Sequence, residues 1–263
     1  MPIPRISALY RYPVKGLSSE RMATVGLTVG EPMPFDRMYA IENGPGAFDE
    51  AAPRHLPKVT FLCLMSNEQL ATFSTVFEPG LHTLAISRGG HILAAGDLRT
   101  TEGRAAIETL IARELAGSLR GRPRVVAAPG HSFSDVREKC LHIINLASVR
   151  ALEQAMGRAP SRDGSAYRTI DPLRFRANVL VEGLEPWAEL DLTGRELSLG
   201  EAQISVFKRT VRCAATNVDP STGARDADVP DALWRTLGHR DFGVYAMVTR
   251  GGRVREGDVL SRK

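Results

Sequence analysis

Cys213 lies in a basic, turn-rich stretch, Lys208-Arg209-Thr210-Val211-Arg212-Cys213-Ala214-Ala215-Thr216-Asn217-Val218-Asp219-Pro220-Ser221-Thr222-Gly223. The β-branched, apolar run at 204–207 just before it reads as a strand. Residues 219–223 just after it read as a tight turn, because proline pre-sets φ and glycine accepts φ > 0. The thiol is therefore expected at a strand end with Arg209 and Arg212 close by. Positive neighbours favour the thiolate, the form that attacks electrophiles and binds soft metals. A single cysteine is more commonly an inert buried thiol, so the case for Cys213 depends on what gathers around it.

Other cations stand at element ends beside turn residues. Lys15 lies in Tyr12-Pro13-Val14-Lys15-Gly16, after the first strand. Arg37 follows Pro34-Phe35-Asp36. Arg174 and Arg176 flank Phe175 just before a strand. Arginine forks suit phosphate, and lysine supplies a compact charge. Taken one at a time, each is more often a solvated surface charge, and spacing alone does not bring them together. The six histidines form no HExxH pairing and read mostly as surface or loop residues. Cys63 and Cys140 sit in apolar runs and read as core thiols. Trp187 reads as packing a loop over the second half. No glycine-rich nucleotide loop and no GxSxG elbow occurs.

These groups need elements to hold them. In the first half, strands are expected at 6–12, 22–29, 37–42 and 58–65, the last a nearly continuous apolar run. Asn43-Gly44-Pro45-Gly46 is a turn signal. Residues 81–87 and 91–95 flank Arg88-Gly89-Gly90 as a hairpin. Helical spacing runs through 67–77 (Leu70, Phe73, Phe77), 103–115 (Ile107, Leu110, Ile111, Leu115), 146–156 and 230–237, with Gly238 as a stop. Strands return at 177–182, 196–199, 203–207, 242–249 and 258–260. Residues 160–173 read as a mobile surface loop. A composition shift divides the chain near 130, into 1–130 and 131–263. Short strands, frequent turns and few helices make the expected fold mainly β and barrel-like, with α+β elements.

The 263 residues are 43% hydrophobic and 24% charged, an ordinary soluble composition. The net charge of +4 is dispersed and aromatics make up only 6%. That argues against nucleic acid and fits a small anionic ligand better. Three widely spaced cysteines without a CxxC pair suggest neither a disulfide framework nor structural zinc. No stretch reaches the ~20 apolar residues of a membrane helix, and the start lacks a signal-peptide core. A cytoplasmic protein with no membrane contact is expected.

The second half resembles the MOSC domain (molybdenum cofactor sulfurase C-terminal domain). The likeness is carried by Phe175-Arg176-Ala177-Asn178-Val179, Pro186-Trp187-Ala188-Glu189, Arg212-Cys213 with 216–223, Phe242-Gly243-Val244-Tyr245 and Gly257-Asp258. The first half resembles the β-barrel domain that commonly precedes MOSC, through Tyr12-Pro13-Val14-Lys15-Gly16 and 36–41. The resemblance implies two β-barrel domains with a few peripheral helices, clasping a molybdenum cofactor (Mo-molybdopterin). Relatives such as the amidoxime-reducing component reduce N-hydroxylated compounds. By that likeness Cys213 ligates molybdenum, Lys15, Arg37 and Arg176 hold the pterin and its phosphate, and Gly16, Arg212, Thr216 and Asn217 complete the cofactor contacts. Two positions depart from the family pattern, Val211 and Gly16 standing where relatives often carry serine, and several residues of the usual loop after the lysine are missing.

Three activities are compatible with these residues. One is an oxidoreductase reducing N–O or S–O bonds of a small-molecule substrate, with electrons from a separate donor protein because no iron–sulfur domain is attached. The second is a sulfur carrier holding a persulfide on Cys213, charged by a separate cysteine desulfurase. The third is a cofactor chaperone, which would depend on the cations more than on Cys213.

Overall fold

A computed structural model describes residues 3–44, 46–157 and 169–262. Most of the segment read as a mobile loop, 160–173, lies outside the described residues. The strands are β1 (Arg5–Arg11), β2 (Glu20–Met22), β3 (Thr24–Leu27), β4 (Ala40–Asn43), β5 (Ser74–Glu78), β6 (Thr83–Arg88), β7 (His91–Asp97), β8 (Pro123–Val126), β9 (Leu141–Asn145), β10 (Val179–Glu182), β11 (Glu196–Leu199), β12 (Ala202–Val211), β13 (Asp241–Arg250), β14 (Gly252–Arg255) and β15 (Leu260–Arg262). The helices are α1 (Thr101–Glu114), α2 (Leu146–Ala155) and α3 (Val229–Leu237). The fold is mainly β.

Side-chain alternation along the strands creates the central layer. Ile6, Leu9, Ile143, Val179 and Val181 face one core, while Ala8, Ile144 and Leu180 face another. Successive residues of a strand point to opposite faces, so these strands must be covered on both sides. They belong to one curled eight-stranded sheet in the order β15-β11-β12-β13-β9-β10-β1-β2. Its pairs are antiparallel except β9 with β10, which is parallel. The first core fills the inside of the curl, and β3 and β14 add Val25, Leu27 and Val254 to it. α2 and α3 cover the outside through Val149, Leu152, Ala232 and Leu233. The sheet draws strands from both sides of residue 130.

A smaller layer precedes it. β5, β6 and β7 form a meander covered by α1, whose Ile107, Leu110 and Ile111 are buried against Leu84, Ile86 and Phe77. Each such side chain is worth roughly 1.5–3 kcal/mol when fully buried. Side-chain caps open α1 and α2, and the expected glycine closes α3. Thr100 accepts from the Gly103 N–H and Asn145 from the Ala147 N–H, while Gly238 closes α3 at φ 72°. Gly89 and Gly90, at φ 57° and 82°, make the expected β6–β7 hairpin turn.

Three expectations need correction. Residues 67–77 are not a helix: a short 3-10 turn, Glu68–Thr72, leads into β5. Leu70, Phe73 and Phe77 are all buried, but β-branched Thr75 and Val76 pair with β6 instead of continuing a helix. Residues 58–65 are buried without being a strand; Lys58–Thr60 is a 3-10 turn, and Phe61 makes only an isolated bridge to Glu42. Residues 22–29 split into the end of β2 and β3, which join different sheets.

Candidate functional site

The loop after β1, the turn before β4, the 3-10 turn Pro172–Phe175 and the end of β12 open onto one cavity of about 370 Å³. Lys15, Gly16, Arg37, Arg176, Arg212, Cys213 and Thr216, singled out from sequence, all line it. Asn217 does not. Its Oδ1 accepts the Val229 N–H at 3.0 Å, at the start of α3, and its carbonyl accepts from Arg174 at 3.2 Å. Asn217 braces the loop that carries Cys213.

At the sulfur end, β12 stops at Val211 and the chain turns through Cys213 into a 3-10 turn, Ala214–Asn217. The Thr216 N–H and hydroxyl both donate to the Cys213 carbonyl, at 3.0 and 2.9 Å. Cys213 is half-buried, and Lys58 Nζ donates to its Sγ at 3.0 Å. Burial alone would lower the Lys58 pKa, but the bond to Cys213 and the field of Asp135 outweigh it and raise it. The ammonium therefore stays protonated at neutral pH. Sequence reasoning missed Lys58 because it lies in the run misread as a strand.

At the cationic end, Arg37 and Arg176 both lie over the Tyr12 ring, their guanidinium carbons 4.8 and 4.3 Å from its centroid. Both residues have positive φ, 49° and 52°, a costly backbone region for side chains of this size. Arg37 pairs with Asp36 and donates to the Arg176 carbonyl at 2.9 Å. Arg176 donates through Nη1 to the Leu17 carbonyl at 2.8 Å; its Nη2 is buried with no partner. No carboxylate pairs with Arg176 among the described residues. Burial, then repulsion from Arg37, pulls its pKa down to about 10.

Arg212 behaves differently. Nε and Nη2 both donate to the Phe242 carbonyl, Nη1 donates to the Phe175 carbonyl at 3.2 Å, and Nη2 lies 2.5 Å from His142 Nε2. Arginine can only donate, so Nε2 accepts and the imidazole proton sits on Nδ1, 3.5 Å from the Arg176 carbonyl. Burial, with repulsion from Arg212 and Arg37, holds His142 neutral. Arg212 is thus a pillar under the cavity wall, and His142 is the buried exception among six histidines of which the other five are exposed or partly exposed. The Lys15 ammonium, itself buried, donates to Asp135 at 2.5 Å and to the Phe133 carbonyl at 2.9 Å. Asp135 would be raised by desolvation, but Lys15, then Lys58 and Arg37, hold it well below the usual carboxylate range. Asp36, Asp135 and His142 carry no local sequence signal, since their roles come from tertiary partners.

Two flanking cations line the same cavity but are engaged by protein partners. Arg174, wholly buried, binds Asp219 at 3.0 Å and Asp226 at 2.7 Å, tying down the 219–226 loop. Arg209 points to the Leu190 carbonyl and Asp191. Cys63 and Cys140 are buried, as expected, yet both line the cavity. Desolvation pushes the Cys140 thiol up to about 12. Val211 is exposed, whereas neighbouring Thr210, at a bulge between β12 and β13, is buried with its hydroxyl unpartnered. Gly16 has φ 86°, and a Cβ there would lie 2.8 Å from the Leu62 carbonyl oxygen, leaving no room for the serine of relatives. Among the described residues no group of three or more His, Cys, Asp or Glu could hold a metal, and no helix is long and apolar enough to cross a membrane.

The profile of the MOSC domain matches residues 127–261, just over half of the 263-residue chain. Molybdenum cofactor sulfurase from Danio rerio is 32% identical over 117 residues, 43% of this chain and 14% of that protein. The sulfurase from Caenorhabditis elegans is 36% identical over 78 residues, 29% of this chain and 11% of that protein. The chain thus matches only a small part of these curated relatives. Among solved structures, YuaD from Bacillus subtilis is similar over 99% of this chain and 97% of its own, at 15% identity and a TM-score of 0.44. YiiM from Geobacillus stearothermophilus is similar over 47% and 53%, at 20% identity and a TM-score of 0.35. Family profile and sequence relatives agree, and the chain belongs to the MOSC domain family.

Proposed function

We propose that this protein binds a molybdenum cofactor in the Cys213 cavity and uses it to reduce N–O or S–O bonds of a small-molecule substrate. The observation that carries this reading is a charge imbalance around a sulfur. Arg176 keeps a buried, unpartnered Nη2 and pairs with no carboxylate among the described residues, in the same cavity as the half-buried Cys213. A guanidinium left this way is unfavourable until an anion arrives. A soft sulfur beside hard-anion donors fits a ligand that is part soft metal and part phosphate.

Cys213 would be the metal ligand. Arg176, Arg37 and Lys15 would hold the phosphate and pterin, with the Gly16 backbone and Thr216 shaping the wall. The bound group supplies two-electron chemistry at the metal. The chain supplies the remainder. Asp36 orients Arg37, His142 and Arg212 fix the wall beneath Arg176, and Lys58 holds a proton at Nζ, 3.0 Å from the sulfur. Electrons would come from a separate donor protein.

The test is expression in a host rich in molybdenum cofactor, with metal and pterin quantified in wild type, Cys213→Ala and Arg176→Met. Wild type should carry both. Cys213→Ala should lose molybdenum, and Arg176→Met should lose pterin. Equal molybdenum in wild type and Cys213→Ala eliminates the ligand role. The relatives' name, molybdenum cofactor sulfurase, favours a second reading, a persulfide carrier on Cys213. It predicts that incubation with a cysteine desulfurase and cysteine adds one sulfur atom to the intact mass, located at Cys213.

A further inference from the structure

A second cavity, of about 510 Å³, adjoins the first and shares His55 with it. Its wall is Pro53, Arg54, His55, Gly130, His131, Ser132, Arg137 and Lys139. Three of these eight residues are permanent cations, two are imidazoles, and none is acidic. Lys139 is neutralised by Glu31, at 2.7 and 2.8 Å. Arg54 and Arg137 are exposed and have no ion pair among the described residues. The Ser132 hydroxyl is shielded from solvent and has no partner. The His131 ring is packed on Phe48 and Phe133, at 5.2 and 4.7 Å between centroids, which gives the cavity a rigid floor.

We infer that this second cavity is an anion-binding subsite for a phosphate-bearing small molecule, lying beside the Cys213 cavity. Two unpaired guanidinium forks on one concave wall match phosphate oxygens bidentately. The volume lies within the range of small-ligand pockets. Burial, with His55 and Lys139 nearby, lowers the His131 pKa and keeps it a neutral hydrogen-bonding group. A patch of positive charge at the cavity edge also raises the local concentration of anions. A ligand phosphate seated here would place its remaining atoms next to His55, on the path to Cys213. The inference goes beyond the cofactor reading and does not depend on it.

The experiment is calorimetric titration of the ligand-free 263-residue protein with sodium pyrophosphate at low salt. The variants are Arg54→Gln/Arg137→Gln and, separately, Arg176→Met. Wild type should bind at two sites. The double variant should lose one of them, with affinity weakened at least roughly tenfold, while melting at the wild-type temperature because both side chains are exposed. Arg176→Met should keep the site that the double variant loses. Loss of all binding in the double variant supports the subsite and counts instead against Arg176 as a phosphate ligand. The inference is overturned by an unchanged isotherm in the double variant, or by no saturable pyrophosphate binding in wild type.

Discussion

Replacing Arg176 and replacing Arg212 with methionine should have opposite consequences, although both guanidiniums are pulled down to about 10. For Arg176, the drop from 12.5 to about 10 corresponds to roughly 3 kcal/mol of unfavourable charge burial, and somewhat less for the face open to the cavity. Against that stand one charged hydrogen bond to Leu17, worth roughly 1.5–3 kcal/mol, and stacking on Tyr12, worth about 1 kcal/mol. The terms nearly cancel, so Arg176→Met should change ligand-free stability by about 1 kcal/mol or less. Arg212→Met would strand the Phe242 and Phe175 carbonyls and His142 Nε2, each at about 1–3 kcal/mol or roughly 3–9 kcal/mol together, and relief of the same roughly 3 kcal/mol of charge burial still leaves a loss of about 3 kcal/mol at mid-range. Urea unfolding of the ligand-free proteins reads the difference, and pterin content after cofactor-rich expression reads the function. Arg176→Met should unfold like wild type yet retain little pterin. A loss of about 3 kcal/mol or more in Arg176→Met, or pterin retained at the wild-type level, would refute the division between ligand-facing and wall-supporting arginines.

Three further outcomes follow from the same geometry. Gly16→Ser, which copies the serine of relatives, should destabilise by roughly 1–3 kcal/mol, because it forces a side chain to φ 86° against the Leu62 carbonyl; a melt showing no loss would mean the loop relaxes. Lys58→Met should slow iodoacetamide alkylation of Cys213 at neutral pH, and Lys58→Arg should restore part of the rate, as followed by intact mass; equal rates in all three proteins would show that the 3.0 Å contact has no chemical effect. Asp135 has a folded pKa below its unfolded value, so its stabilisation is full above the usual carboxylate pKa of about 3.9 and fades as pH falls towards the depressed value. The stability gap between wild type and Asp135→Asn should therefore be largest near pH 6 and shrink below about pH 4; a gap that widens in acid contradicts the ion pair with Lys15.

Helices with a 3.6 period were legible from local sequence: the expected 103–115, 146–156 and 230–237 match α1, α2 and α3 within two residues, and Gly238 closes α3. The Leu70, Phe73, Phe77 stripe misled because buried positions along an irregular turn and a strand can imitate helical spacing; partners on β6, not the period, decided the outcome. β9 escaped notice for the converse reason. Covered on both faces, it has no alternation to read, only an apolar run with His142 inside it. The cations at strand ends were legible because turns and charges are local signals. Their division of labour was not, since Arg174, Arg176 and Arg212 differ only in what distant segments offer them: Asp219 and Asp226, nothing for one buried nitrogen, or carbonyls and an imidazole.

That difference has an energetic consequence for the whole protein. Arg37 and Arg176 hold positive φ, each costing of order 1 kcal/mol, and both lie over one tyrosine, with Asp36 ion-paired to Arg37. Of these features, the repulsion between the two guanidiniums and the unpartnered Nη2 are unfavourable in the ligand-free chain, and an anion against Arg176 Nη2 would relieve both. The cavity should therefore be a place where binding and folding are strongly linked. A ligand present at a hundred times its Kd adds about 2.7 kcal/mol to stability by mass action. Loaded wild-type protein should melt several degrees above the ligand-free form, and loading should not raise the melting point of Arg176→Met. An equal rise in both would place the stabilising anion elsewhere, and the unpartnered nitrogen of Arg176 would then be a cost without a ligand to relieve it.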